Sequence, residues 1–210
     1  MKREPTDDAD GGASSPSVSV GDAMDAIAEV PQEATYDGIA ILGSHPAPVE
    51  MAPFDDDKWL IYSCSPHNVE MRQLPRWDEW FELHDPLADA TRAYPYLKTV
   101  ETFPLVWMRD QAALPYFKGG RLFPEEEVRS HFCSFMFTSS IAYIMAKAIL
   151  DCEQNKIPRI GLWGIMQASE NEYAYQRPGI QYFIWEATRR GIQVMAPKES
   201  RLFEPPENVW

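Results

Sequence analysis

Between residues 38 and 205, short apolar runs alternate with stretches whose apolar residues recur at helical spacing. The runs at 38–43, 58–65, 80–85, 104–108, 159–165 and 192–196 have the length of buried strands and read as such. Ile141, Met145, Ala148 and Ile149 fall on one side of a helix, with Thr138 or Ser139 ahead of them as a hydroxyl N-cap. A second helix is predicted from Pro178, whose missing N–H costs nothing in a first turn, to Gly191, suited to the residue just past the end. Its Phe183, Ile184 and Ala187 would face the sheet. Strands alternating with helices predict an α/β, Rossmann-like fold: a mostly parallel sheet with helices on both faces. From 109 to 135 the pattern is lost to Pro115, Gly119-Gly120 and Pro124, with room for a short helix at 125–131. Loops this long in a compact domain are often lids.

Ahead of this pattern, residues 1–34 carry two basic and eight acidic residues, a net charge of −6, and few large apolar groups. Such a segment buries too little surface to offset its ordering entropy. It reads as a disordered acidic tail, with 22–29 spaced for one short helix, followed by a nucleotide-binding domain over 35–210. The formal net charge of −13 argues against a nucleic-acid partner, because affinity for a phosphate backbone comes from Lys and Arg. No apolar run approaches the roughly 20 residues that span a bilayer. Residues 1–10 are charged where a signal peptide would be apolar. A cytoplasmic protein without a membrane partner is the expectation. Cys64, Cys133 and Cys152 form no CxxC pair and indicate neither a zinc ribbon nor a disulfide framework.

In parallel sheets, ligands bind outside the carboxyl ends of the strands, near helix N-termini. Thr138-Ser139-Ser140 therefore reads either as a plain helix cap or as an anion cradle in which N–H groups, helix dipole and hydroxyls point one way. Gly43-Ser44-His45 ends the first run, Ser65 with His67 and Asn68 follows the second, and His84-Asp85 ends the third. His84 is the first candidate base, with His45 and His67 behind it. Adjacent residues of an extended chain point to opposite faces, so Asp85 is poorly placed to orient it. Asp55-Asp56-Asp57 reads as a solvated turn rather than a metal site. Tyr173, Tyr175 and Arg177 fall in a predicted loop, 168–177, that would point them in one row toward a ligand. There Arg177 offers a fork to phosphate; the alternatives are a surface arginine and tyrosines that plug the gap between sheet and helix.

The order of these motifs resembles the bacterial sialyltransferases that use CMP-sialic acid, and is similar to pterin diphosphokinase-like domains and to phage-encoded proteins of this size. Gly43-Ser44-His45-Pro46-Ala47 stands where members carry a Gly-Ser-Gly-Pro-Ser turn, and Ser63-Cys64-Ser65 where they carry Arg-Cys-Asn. Thr138-Ser139-Ser140 matches Thr-Ser-Gly, Gly164-Ile165-Met166 matches Gly-Ile-Asp, and Tyr173-Ala174-Tyr175 matches Tyr-Ala-Phe. The resemblance implies that Ser44, Ser65, Thr138 and Ser139 hold a nucleotide and its phosphate, and that Tyr173 helps the phosphate leave. The late histidine base of that family has no counterpart after His131, and Met166 replaces its acidic residue.

The expectation is a nucleotide- or nucleotide-sugar-binding group transferase with no resident cofactor or metal and a small-molecule nucleotide as partner. Catalysis falls to His84 and Tyr173; binding falls to Gly43, Ser44, His45, Ser65, Asn68, Thr138, Ser139, Ser140, Gly164, Tyr175 and Arg177. The alternatives are a nucleotide or pterin phosphotransferase, which would need Mg²⁺ held by Glu82, Asp85 or Glu172, and a non-catalytic nucleotide-binding protein.

Overall fold

The computed structural model describes residues 35–45, 49–64, 74–88, 96–132, 135–166 and 172–203, all within one compact unit, Glu33–Trp210. Residues 1–34, with the predicted short helix at 22–29, and Cys133 lie outside the described residues. Seven strands form one sheet: β1 Gly38–Leu42, β2 Trp59–Cys64, β3 Glu79–Glu82, β4 Val106–Met108, β5 Gly120–Leu122, β6 Arg159–Trp163 and β7 Gln193–Met195. Every neighbouring pair is parallel, and the order is β5-β4-β3-β2-β1-β6-β7. All five residues of β1 are buried, as a central strand covered on both faces requires. The α/β, Rossmann-like architecture that the alternation predicts is the one observed.

Four helices accompany the sheet: α1 Tyr96–Val100, α2 Glu125–Phe132, α3 Ser140–Asn155 and α4 Glu172–Arg189. Two 3₁₀ turns, Gln111–Tyr116 and Arg201–Phe203, complete the set of described elements. The chain steps from β1 to β5 in one direction, then returns across the sheet to place β6 on the free side of β1. Right-handed crossovers in opposite directions lie on opposite faces. The side chains agree. On one face Ile39, Ile41, Tyr62, Phe81, Ile160 and Leu162 pack with residues of α2, α3 and α4. On the other, Trp80, Val106 and Met108 pack with Leu97, Val100 and Phe103 around α1, and Trp59, Ile61 and Trp163 with Ala52.

Three boundaries differ from the sequence reading. The stretch 109–135 is no structureless lid: it holds a 3₁₀ turn, the edge strand β5 and α2. β5 has three residues, two of them exposed, so it carries no apolar period to read. The predicted strand at 80–85 ends at Glu82, releasing His84 and Asp85 into the turn beyond it. Most consequentially, α4 begins at Glu172, six residues before Pro178, so there is no extended loop through Tyr173, Tyr175 and Arg177. Pro178 carries a helix-breaking penalty that tertiary contact overrides, and its neighbour Gly179 shows where. A Cβ there would meet Thr138 Oγ1 at 2.1 Å and the Met136 carbonyl at 2.4 Å, so the bare backbone admits the approach to α3.

The helix ends follow expectation more closely. Gly191 has φ +81, its N–H donates to the Thr188 carbonyl at 3.0 Å, and the Ile192 N–H reaches back to Ala187 at 3.0 Å, closing α4 in the left-handed turn predicted there. The Cys64 thiol donates to the Leu42 carbonyl at 3.8 Å, and burial pushes the Cys152 thiol up to about 12.

Candidate functional site

The strand order reverses between β1 and β6, so the crevice beyond their carboxyl ends is the topological switch point of the sheet. Two glycines meet there. A Cβ on Gly43 would lie 2.3 Å from the Gly164 carbonyl oxygen, and one on Gly164, whose φ is +71, would lie 2.2 Å from Val49 Cγ2. The Gly43 N–H donates to Trp163 at 2.7 Å and the His45 N–H to Gly164 at 2.9 Å, lacing the two segments together past the strand ends. Gly43 thus admits the backbone of Gly164, and Ser44 and His45 are left exposed at the rim.

α3 runs antiparallel to the strands, since it ends just before β6 begins, and its N-terminus therefore lies at this same carboxyl edge. Ser139 is the N-cap: its backbone is extended, and its Oγ accepts from the Ala142 N–H at 3.2 Å. Thr138 Oγ1 donates to the Gln176 carbonyl of α4 at 2.9 Å. Two of the three hydroxyls of the predicted cradle are therefore engaged in a cap and in helix packing. What a ligand would meet is the positive helix end and the first-turn N–H groups of Ser140 and Ile141, which a helix cannot satisfy internally.

At the end of β3, His84 Nδ1 lies 3.4 Å from Oε1 of Glu82; the carboxylate side chain is fully buried and the imidazole is 61% exposed. Residues two apart on an extended chain leave on one face, so the strand itself aims both groups together. Asp85 is turned to the backbone, its Oδ1 accepting from the Leu87 and Ala88 N–H groups at 2.9 and 3.1 Å. Sequence reasoning considered Glu82 only as a magnesium ligand, although the Glu82-Leu83-His84 alternation carried the signal. Ser63, opposite Trp80 in β2, points to the same face, and its buried hydroxyl has no hydrogen-bond partner among the described residues.

Beyond β4 and β5 lies a second polar centre that no motif in the sequence announces. Arg109 grips Glu125 through two bonds of 2.7 and 2.9 Å, Arg129 reaches the same carboxylate at 2.7 Å and also bonds the Tyr143 hydroxyl, and both guanidinium groups lie against the Tyr143 ring. Burial alone would raise the Glu125 pKa, but the hydrogen bonds from Arg109 and Arg129 outweigh it and hold the carboxyl below its ordinary range. An open groove of about 570 Å³ runs past this centre, lined by Arg109, Leu122, Phe123, Glu125 and Ser130 among others.

The remaining predicted residues are spread. Tyr173, Tyr175 and Arg177 lie in α4 rather than in an extended loop, and Tyr175 and Arg177, two apart, leave its axis about 200° apart. Tyr175 is 82% exposed and Arg177 half-buried. Ser65, His67 and Asn68 lie outside the described residues. Asp55-Asp56-Asp57 forms the exposed turn expected: Asp56 Oδ1 accepts from the Lys58 N–H at 2.9 Å, and Asp57 pairs with Arg76 at 3.3 Å. Among the described residues no group of three His, Cys, Asp or Glu side chains is placed to hold a metal ion, and no helix is long and apolar enough to cross a membrane. Comparison with protein-family models, curated proteins and solved structures returned no match.

Proposed function

We propose that the chain binds a nucleotide or nucleotide-sugar in the crevice between β1 and β6 and transfers a group from it to a hydroxyl acceptor. One observation carries the reading: the reversal of strand order between β1 and β6, at the sheet edge that also holds His84 and the N-terminus of α3. Neutral His84 takes the acceptor's hydroxyl proton as the acceptor oxygen forms its bond to the transferred carbon. The bond from that carbon to the phosphate oxygen breaks, and its electron pair leaves on the nucleotide. Glu82 orients the imidazole and stabilises the cation that forms. The first-turn N–H groups of α3 steady the leaving phosphate. The resemblance to sialyltransferases supports the ligand class, with His84 standing in for their late histidine. Met166, at the position of an acidic residue in that family, favours a second reading in which the chain binds nucleotide without turning it over.

The test is a thermal-shift and turnover panel of CMP-, UDP-, GDP- and ADP-linked donors, with and without Mg²⁺. A saturable rise in Tm with one donor class is expected. His84→Asn should retain that rise while turnover falls at least ~100-fold. No response to any donor would remove the nucleotide reading; binding by the wild type without turnover would select the second one.

A further inference from the structure

Three successive carbonyls past the end of β6 are each tied to a donor from elsewhere in the chain. The Trp163 oxygen accepts from the Gly43 N–H at 2.7 Å, the Gly164 oxygen from the His45 N–H at 2.9 Å, and the Ile165 oxygen from the Ser200 hydroxyl at 2.9 Å. The first two donors are backbone groups of the segment that follows β1. The third is a side chain 35 residues away, and it is the one that a substitution removes. β7 lies parallel beside β6, so the chain leaving β7 emerges at the same carboxyl edge and brings Ser200 to this turn.

Ser200 is 6% exposed. A hydroxyl at that depth costs free energy unless it is bonded, and anchoring the segment does not require one. Leu202, 1% exposed, packs in the same cluster as Ile165 and Ile180, and its carbonyl accepts from Gln181 Nε2 of α4 at 2.9 Å. The Ser200 N–H closes a turn on the Pro197 carbonyl at 3.0 Å. What the hydroxyl alone fixes is the direction of the Ile165 carbonyl. An oxygen bonded to a buried donor points into the protein. In a trans peptide the N–H leaves on the opposite side, so the Met166 N–H of the same unit points outward, one residue past Gly164 and Ile165 at the switch point. Turned over, that peptide would present its oxygen, the negative end of its dipole, to the crevice. We propose that Ser200 is a positioning residue for the crevice: its hydroxyl holds the Ile165–Met166 peptide with the N–H toward the phosphate of a nucleotide bound between β1 and β6. The inference rests on the nucleotide reading of that crevice and adds to it a phosphate donor at the end of β6, with the distant side chain that orients it.

Cytidine, uridine, guanosine and adenosine and their 5′-diphosphates are titrated calorimetrically into the full chain, beside Ser200→Ala, Ser200→Cys and Ser200→Thr. The parent chain is expected to bind one nucleotide more tightly than its nucleoside. Ser200→Ala should weaken that nucleotide at least ~10-fold and its nucleoside less than ~2-fold, because only the phosphate meets the reoriented peptide. Ser200→Thr keeps the hydroxyl and should restore the nucleotide affinity to within about 3-fold of the parent. Ser200→Cys, close in size and a weak donor, should lose nucleotide affinity as the alanine variant does, and it decides the matter where circular dichroism shows that the alanine variant has not folded. Nucleotide and nucleoside weakened in equal measure overturn the proposal and leave Ser200 a packing residue; so does unchanged affinity for both. A parent chain that binds none of these ligands is a different result: it removes the nucleotide reading itself, and this inference with it.

Discussion

At the residue scale, three glycines with different surroundings separate steric need from backbone need. Gly164 combines φ +71 with a Cβ position 2.2 Å from Val49 Cγ2 and 2.9 Å from the His45 carbonyl oxygen. Gly43 has the clash with Gly164, and Gly191 has φ +81 with nothing within 4 Å. Gly191→Ala should therefore cost only the left-handed strain, about 1–2 kcal/mol. Gly164→Ala pays that strain and must displace backbone as well, and should cost at least ~3 kcal/mol. Urea denaturation of the two variants measures the difference, and equal losses would mean that the Gly43–Gly164 contact is looser than described. Legibility differs in the same way. Gly191 was readable as a helix stop because its reason is local. Gly164 looked like a strand end, and nothing in its neighbours along the chain announces Val49 or Gly43.

At the element scale, α3 docks on the sheet through a buried polar network as well as through apolar contact. Tyr62 of β2 donates to Asp151 at 2.8 Å, Lys147 reaches both oxygens of that carboxylate at 2.7 Å and sits 5.1 Å above the Trp107 ring, and the Trp107 N–H donates to Glu79 of β3. Burial, the largest cause, raises the Glu79 pKa above the ordinary carboxylate range, against the pull of Lys147 and the Trp107 hydrogen bond. Burial and then Asp151 raise that of Tyr62. An acid whose folded pKa exceeds its unfolded value favours folding most below the unfolded one, and that contribution is lost as pH rises through the folded value. Glu79→Gln keeps an oxygen for the Trp107 N–H and removes the titration. Its stability relative to wild type should therefore rise between pH 4 and pH 7. Chemical denaturation at both pH values checks the sign, and a difference that does not move with pH would show that Glu79 is not the group responsible. The helical period revealed where α3 lies but not this network, because a Lys147–Asp151 pair four apart has the same spacing on a solvated helix face as under a sheet.

At the scale of the whole molecule, every described element belongs to the single unit that begins at Glu33, while residues 1–34 carry −6 of the net charge of −13 and few large apolar groups. Deleting residues 1–34 should leave Tm within about 2 °C and the two-state unfolding transition intact. A loss of several degrees would assign the acidic segment a place on the fold. What the sequence determined by itself was the class of architecture. Apolar period is a local property, so the central strands, α3, a hydroxyl cap at Thr138 or Ser139 and the Gly191 stop could be read directly. Tertiary structure decided the rest, and for definite reasons. β5 pairs with β4 through its backbone, which has no sequence signature in three mostly exposed residues. α4 runs through Pro178 because packing on Thr138 and the core outweighs a local penalty that sequence reading took as a boundary. The site followed the same division. The carboxyl edge could be named from the alternation, but the reversal at β1 and β6 is a property of strand order. Glu82 and His84 face each other because β3 is extended up to the residue where its ladder stops. Arg109 and Glu125 were separated by a stretch with no period, and only the fold closes that distance to a hydrogen bond.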